Sequence, residues 1–320
     1  MKAIVQHRYG GPETLEVAEI DPPGVGPDDV LVRVRAAAVD AGVRHLMTGT
    51  PWLVRPVIGL RRPRQPVPGI DAAGEVAAVG RNIVDLRPGD TVAGGVRGAY
   101  AELARARRKH WVRIPDGVSF ESAAAVPTSG STALIAIRDT ARIESGQQVL
   151  ITGAGSGVGT YAVQLAVRAG ALVTGVCRPE KTELVRNLGA RQVVGYEYLA
   201  GTTNRFDAVV DIAGHTALSR LRGLLRPGGT AVLVGGEGKS GLFGGFDRQL
   251  RALFVAPFAG VRLKPLAAVT RAADVERLLA LVAGGELRPV IDRVFGIGEV
   301  ADALAYTWHG AAAGKVVVTM

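Results

Sequence analysis

After the apolar run at 148–152 the chain reads Thr152-Gly153-Ala154-Gly155-Ser156-Gly157-Val158-Gly159, and an amphipathic stretch with Tyr161, Val163, Leu165 and Ala166 follows. Four glycines at alternate positions between a strand-like and a helix-like segment constrain the fold more tightly than any other feature. Glycine permits a sharp turn and lets backbone amides approach a ligand, and a helix N-terminus behind the turn favours negative charge. This is the setting of a dinucleotide diphosphate cradle, although the spacing is a variant of the literal G-x-G-x-x-G pattern. Gly155, Ser156, Gly157 and Val158 are the expected diphosphate contacts. A glycine turn required only for close packing would look the same.

The surroundings agree with a doubly wound sheet. Strand candidates at 148–152, 172–177, 192–194, 207–212 and 230–235 alternate with helix candidates at 157–169, 180–188 and 217–225, with a turn at Pro227-Gly228-Gly229. That rhythm implies parallel strands joined by right-handed crossovers. The first hundred residues instead carry short β-like runs (3–5, 29–39, 73–79, 91–93) separated by Gly/Pro turns, an antiparallel, barrel-like texture. The alanine-rich stretch 122–136 reads as a domain entrance. Leu250-Arg251-Ala252-Leu253-Phe254-Val255 reads as a core or subunit-contact helix rather than a pocket wall. A helix from Ala272, a strand at 289–295, a helix at 299–306 and a strand at 315–319 close the chain. The expected fold class is α/β, with two domains in 320 residues.

The residues after the second strand indicate which dinucleotide. An NAD site usually places an acid there to bind the ribose hydroxyls. Here the stretch is Val176-Cys177-Arg178-Pro179-Glu180-Lys181. Cys177 cannot serve as that acid, while Arg178 and Lys181 offer positive charge to a 2′-phosphate, so NADPH is expected over NADH. Glu180 reaching a ribose, or a solvated Arg/Lys pair, are the alternatives.

Cys177 is the only cysteine, which excludes an internal disulfide and any zinc site built on several cysteines of one chain. The net charge of +9 is spread over short runs without interleaved aromatics, so no nucleic-acid partner is expected. No signal-like or membrane-spanning apolar segment stands out, so neither a membrane partner nor export is expected, and a cytoplasmic location is.

Several segments in a fixed order make the chain resemble the zinc-independent quinone oxidoreductase-like branch of the medium-chain dehydrogenase/reductase superfamily. They are Met1-Lys2-Ala3-Ile4 with Tyr9-Gly10-Gly11-Pro12-Glu13, Pro68-Gly69-Ile70-Asp71-Ala72-Ala73-Gly74-Glu75-Val76, Pro88-Gly89-Asp90-Thr91-Val92, Gly98-Ala99-Tyr100-Ala101-Glu102, Ala124-Ala125-Val126-Pro127, Leu188-Gly189-Ala190 and Gly314-Lys315-Val316-Val317-Val318. The resemblance implies a GroES-like, mainly β catalytic domain formed by residues 1–122 and 270–320, around a Rossmann domain at 123–269. It also implies a homodimer. Zinc-containing relatives carry Gly-His-Glu where this chain has Gly69-Ile70-Asp71, and their ligand cysteine falls at about Asp40, so no metal is expected.

What the resemblance implies for chemistry is hydride transfer from NADPH to a quinone or an α,β-unsaturated carbonyl, whose conjugation spreads the developing charge. Many relatives have Asn-Pro-x-Asp where this chain reads Asp40-Ala41-Gly42-Val43. Asp40, with Arg44 and His45 as donors, forms the candidate catalytic stretch; local hydrogen bonding at a strand end is the plainer alternative. By position Thr132, Tyr196, Val234, Gly235 and Lys315 join Cys177, Arg178 and Lys181 as candidate cofactor contacts. Trp52 and the Pro/Arg-rich stretch 51–68 read as a loop over the cleft mouth that sets substrate choice. Two rival readings remain: an enoyl-thioester reductase, with Arg55, Arg61, Arg62 and Arg64 receiving a carrier phosphate, and an NADPH-binding sensor or scaffold without turnover.

Overall fold

A computed structural model describes residues 1–235, 248–249, 251–252 and 260–320. The chain divides into two compact units, Met1–Ser131 with Thr270–Met320, and Thr132–Val269.

The first unit is built on the strand Asp29–Val39. Its first half alternates, burying Val30, Val32 and Val34 while Arg33 and Arg35 stay exposed; from Ala36 to Val39 every residue is buried. The sequence DVLVRVRAAAV thus changes from one-sided to two-sided burial along one strand. The sheet runs Ile291–Gly296, Lys315–Thr319, Asp29–Val39, Asp71–Val79, Thr91–Gly95, Trp111–Arg113, with Leu103–Arg107 also pairing to Asp29–Val39. Lys315–Thr319 lies antiparallel to Asp29–Val39, with Val316 opposite Val39. Ala38 on the other side faces Asp71. Three strand ends distant in sequence therefore meet at one edge. The core behind them includes Val34, Val43, Met47, Tyr100, Trp111, Leu304 and Val318, each worth about 1.5–3 kcal/mol of burial.

The second unit is a six-stranded parallel sheet in the order Gln192–Val194, Leu172–Val176, Gln148–Thr152, Phe206–Asp211, Leu225–Leu233, Arg262–Pro265. Chain order reverses between Gln148–Thr152 and Phe206–Asp211, and in such sheets ligands bind beyond the strand ends at that reversal. Val149, Leu150 and Ile151 are wholly buried, as a central parallel strand requires. The helix Gly157–Arg168 follows the first strand and buries Tyr161, Val163, Leu165 and Ala166.

The doubly wound sheet and the mainly β first unit agree with expectation. The turn expected at 227–229 is instead an irregularity inside the strand Leu225–Leu233: the register jumps from Phe206 opposite Leu225 to Ala208 opposite Thr230, with Gly228 at φ +73°. Arg226 pairs with Asp207 at 2.8 Å across this bulge, so the extra residues stay attached to the sheet. The apolar segment at 250–255 lies mostly outside the described residues. Among those residues no helix is long and apolar enough to cross a membrane.

Candidate active site

In the second unit, Gly153 turns the chain at φ +67° after Thr152. The Ala154 amide donates to the Val176 carbonyl at 3.0 Å and the Ser156 amide to the Gly153 carbonyl at 3.0 Å, tying the loop to the second strand. Ser156 caps the helix Gly157–Arg168, its hydroxyl accepting from the Gly159 amide at 3.1 Å. The first-turn amides of Gly157 and Val158 have no partner within the helix and form the anion-receptive end. A Cβ on Gly159 would stand 2.0 Å from the Gly153 carbonyl oxygen, so close packing does demand that glycine. A Cβ on Gly155 would meet the Lys181 side chain, its Cδ at 2.8 Å and its Cβ at 2.9 Å. Gly155 therefore lets the stem of Lys181 lie directly against the loop.

The residues after the second strand separate into two environments. Cys177 is buried, and burial pushes its thiol up, keeping it neutral. Lys181 is also buried, folded over Gly155. Arg178 is exposed, 4.0 Å from Glu180. Tyr196 is 39% exposed and lies near the Gly153 backbone. Thr132 is half-buried on the helix Pro127–Leu134.

Sequence reasoning missed the acid at the reversal point. Asp211, fully buried, ends its strand beside Thr152. It accepts from the Thr152 hydroxyl at 2.7 Å and the Thr216 hydroxyl at 3.1 Å, and it pairs with Arg248. The Val234 and Gly235 amides donate to the Asp211 carbonyl at 3.1 and 3.2 Å. Arg248 also donates to the Gly235 and Thr216 carbonyls. The matching positions of Thr152 and Asp211, each last in its strand, were the available signal.

In the first unit, Asp40 precedes the helix Ala41–Thr48, yet its side chain makes no cap hydrogen bond. The carboxylate instead accepts from the Lys315 ammonium at 2.6 Å and from the Ser129 hydroxyl at 2.6 Å. Lys315, 1% exposed, also donates to Ser129 at 3.1 Å and to the Val39 carbonyl at 3.4 Å. Next to this pair lies Asp71, fully buried, which accepts from the Thr128 amide at 3.0 Å and hydroxyl at 2.7 Å and interacts with the Asp40 carboxylate. Buried Tyr100 donates to the Ala38 carbonyl at 3.3 Å.

Burial pushes both carboxyls up, but the two end on opposite sides. For Asp40 the Lys315 ammonium and the hydrogen bonds from Asp71, Lys315 and Ser129 outweigh burial and hold it below the usual range. For Asp71 burial is reinforced by the Asp40 carboxylate, and its value rises well above that range. Burial and the two acids likewise raise Tyr100. The two acids are thus driven apart, Asp40 toward the carboxylate and Asp71 toward the protonated carboxyl.

The proposed trio Asp40, Arg44 and His45 shares one short segment without converging. Asp40 turns inward to Lys315. The Arg44 guanidinium lies 5.4 Å from the Trp308 ring centroid. His45 Nδ1 is 3.0 Å from the Thr50 carbonyl, which can only accept, so this nitrogen carries the proton. Lys315, a candidate cofactor contact by sequence, is here the partner of Asp40. Asp71, Ser129 and Thr128 were not anticipated.

The alcohol dehydrogenase GroES-like domain model matches residues 26–116, and the zinc-binding dehydrogenase model matches residues 188–318. The chain is 32% identical to the quinone oxidoreductase of Pseudomonas aeruginosa over 316 residues, covering 94% of each. It is 32% identical to the trans-enoyl reductase pgmF of Aspergillus terreus over 319 residues, covering 92% of this chain and 87% of that protein. The solved structure of the quinone oxidoreductase from Coxiella burnetii superposes with a TM-score of 0.89 at 26% identity, over 100% of this chain and 99% of that one. The chain belongs to the medium-chain dehydrogenase/reductase superfamily, on its quinone oxidoreductase-like branch. It is an oxidoreductase of that family, whose members bind nicotinamide cofactors.

Proposed function

We propose that the protein is a zinc-independent, NADPH-dependent reductase that delivers hydride to a quinone or an α,β-unsaturated carbonyl. The observation that carries this reading is the Lys315 ammonium seated 2.6 Å from Asp40. Zinc does not fit these residues. Position 70 is an isoleucine, the Asp40 carboxylate is taken by a tethered cation, and among the described residues no group of three or more His, Cys, Asp or Glu side chains gathers to hold a metal ion. Without a Lewis acid, the acceptor must stabilise its own developing charge, which conjugation does.

NADPH fits the second unit. The amides of Gly155, Ser156, Gly157 and Val158 would receive its diphosphate at the helix N-terminus. Arg178 would take the 2′-phosphate beside Cys177, with Lys181 folded against the loop. Thr132, Tyr196, Val234 and Gly235 complete the proposed contact set in this unit, whereas the ammonium of Lys315 is taken by Asp40, Ser129 and the Val39 carbonyl. When bound, NADPH supplies the hydride from nicotinamide C4.

The chain's own residues would then orient the acceptor. His45, its Nδ1 proton fixed on Thr50, keeps Nε2 for a substrate oxygen or a water. Arg44, steadied on Trp308, is a second donor. Asp40 acts by fixing the positions of Lys315 and Ser129.

A second reading, reduction of an enoyl thioester, is favoured by the likeness to the Aspergillus terreus protein and by the arginines at 55, 61, 62 and 64. The test is anaerobic NADPH oxidation against quinones, enones and enoyl thioesters, with metal analysis and titration of both dinucleotides on the same sample. Turnover with quinones or enones, no stoichiometric metal and tighter NADPH than NADH are expected. Lack of saturable affinity for either dinucleotide would overturn the reading.

A further inference from the structure

Residues 41–70 contain the arginines Arg44, Arg55, Arg61, Arg62 and Arg64 and neither aspartate nor glutamate. The same stretch exposes Trp52, Leu53, Val57 and Leu60, by 53%, 61%, 66% and 69%. Four of the ten exposed large apolar side chains of the described residues therefore fall at 52–60. Pro51, Ile58 and Gly59 in the same stretch are buried. Its inward positions already pack, and the remaining apolar ones project outward. Single exposed apolar residues are ordinary, but a concentrated set of them marks an interaction surface.

The segment is anchored from within. The Arg55 guanidinium donates to the Gly49 carbonyl at 2.9 Å and lies 4.7 Å from the Tyr9 ring and 5.6 Å from the Trp52 ring. Arg61, Arg62 and Arg64 are exposed and, among the described residues, form no ion pair. Arg97, also exposed, lines one pocket together with Arg64, Ile58 and Pro63, adding a fourth cation to the face.

We propose that residues 52–64 dock the protein on an anionic lipid bilayer, with Trp52, Leu53, Val57 and Leu60 entering the headgroup boundary and Arg61, Arg62, Arg64 and Arg97 meeting lipid phosphates. Aromatic and aliphatic side chains beside arginines suit an interface that is apolar on one side and anionic on the other. A symmetric copy of the chain would bring these cations against themselves. A soluble phosphate would leave the apolar side chains in water. Interfacial docking needs no membrane-spanning helix, so the want of an apolar span that set membranes aside in the sequence does not bear on it. The proposal does not depend on the reductase reading.

The test is flotation of the full chain with vesicles of phosphatidylcholine alone or mixed with phosphatidylglycerol, with tryptophan emission recorded in parallel. Flotation with the mixed vesicles only, weakened by salt, and a blue shift that Trp52→Phe removes are expected. An Arg61→Gln/Arg62→Gln/Arg64→Gln variant should lose about a hundredfold in partitioning. A Leu53→Ser/Leu60→Ser variant with an unchanged circular dichroism spectrum should also partition less. Failure to float with phosphatidylglycerol vesicles, or equal flotation with both compositions, overturns the proposal. So does saturable coenzyme A binding that requires these arginines in a protein that does not float. A dimer that dissociates in the Leu53→Ser/Leu60→Ser variant while flotation is unchanged would assign the face to a second copy and also overturn it.

Discussion

Lys315 and Asp40 are both almost wholly buried, so each depends on the other for charge compensation. Replacing one partner of such a pair strands a charge. Lys315→Met should destabilise the protein by about 3–5 kcal/mol in urea unfolding, and a further Asp40→Leu change should restore part of the loss. The two acids then give opposite pH signatures. Asp71 is raised in the folded state, so its contribution is fully present below the ordinary carboxylate range and is lost as pH rises through its raised value. Asp40 is lowered, so its contribution is present above that range and is lost as pH falls through its lowered value. Asp71→Asn removes the first titration while keeping a donor toward Asp40. Its stability relative to the parent, followed by thermal unfolding across pH, should improve as pH rises; a difference independent of pH would contradict the upward shift of Asp71.

At the scale of elements, the strand–turn–helix around Gly153 was legible because its constraints are local: turn, cap and helix periodicity lie within about twenty residues of sequence. Gly159→Ala should cost about 1–3 kcal/mol, because the new methyl meets backbone at Gly153 rather than a side chain that can move. Weaker dinucleotide binding should accompany it, measured by fluorescence titration. Gly155→Ala should cost less than Gly159→Ala, since the new methyl meets the Lys181 stem at 2.8–2.9 Å rather than a carbonyl oxygen at 2.0 Å. The misread element was 227–229, where Pro-Gly-Gly composition announced a turn. The chain makes its bend there, but the Arg226–Asp207 pair keeps the residues in the sheet. That contact spans two strands and leaves no local trace in sequence.

For the whole molecule, residues near opposite ends of the chain share one sheet. Lys315–Thr319 is an interior strand between Ile291–Gly296 and Asp29–Val39. Removing residues 315–320 should therefore abolish folding of the first unit rather than fray an end. Loss of cooperative unfolding and rapid proteolysis within residues 1–131 are the expected readouts, and a truncated protein that keeps native near-ultraviolet circular dichroism would contradict this role. The strand was visible as Lys-Val-Val-Val-Thr, but its neighbours were not, because strand pairing is a long-range choice.

The sequence by itself determined the doubly wound half, the glycine turn before its first helix, the lack of an acid at Cys177 and an isoleucine at position 70, since each depends on residue types or on periodicity within a short window. Only the tertiary structure decided that Asp40, Asp71, Ser129 and Lys315 form one buried cluster, that Asp211 sits at the sheet's reversal point, and that Lys181 folds inward while Arg178 stays in solvent. The physical reason is that burial and hydrogen-bond partners, which set the charge of every one of these groups, come from strands and helices tens to hundreds of residues away.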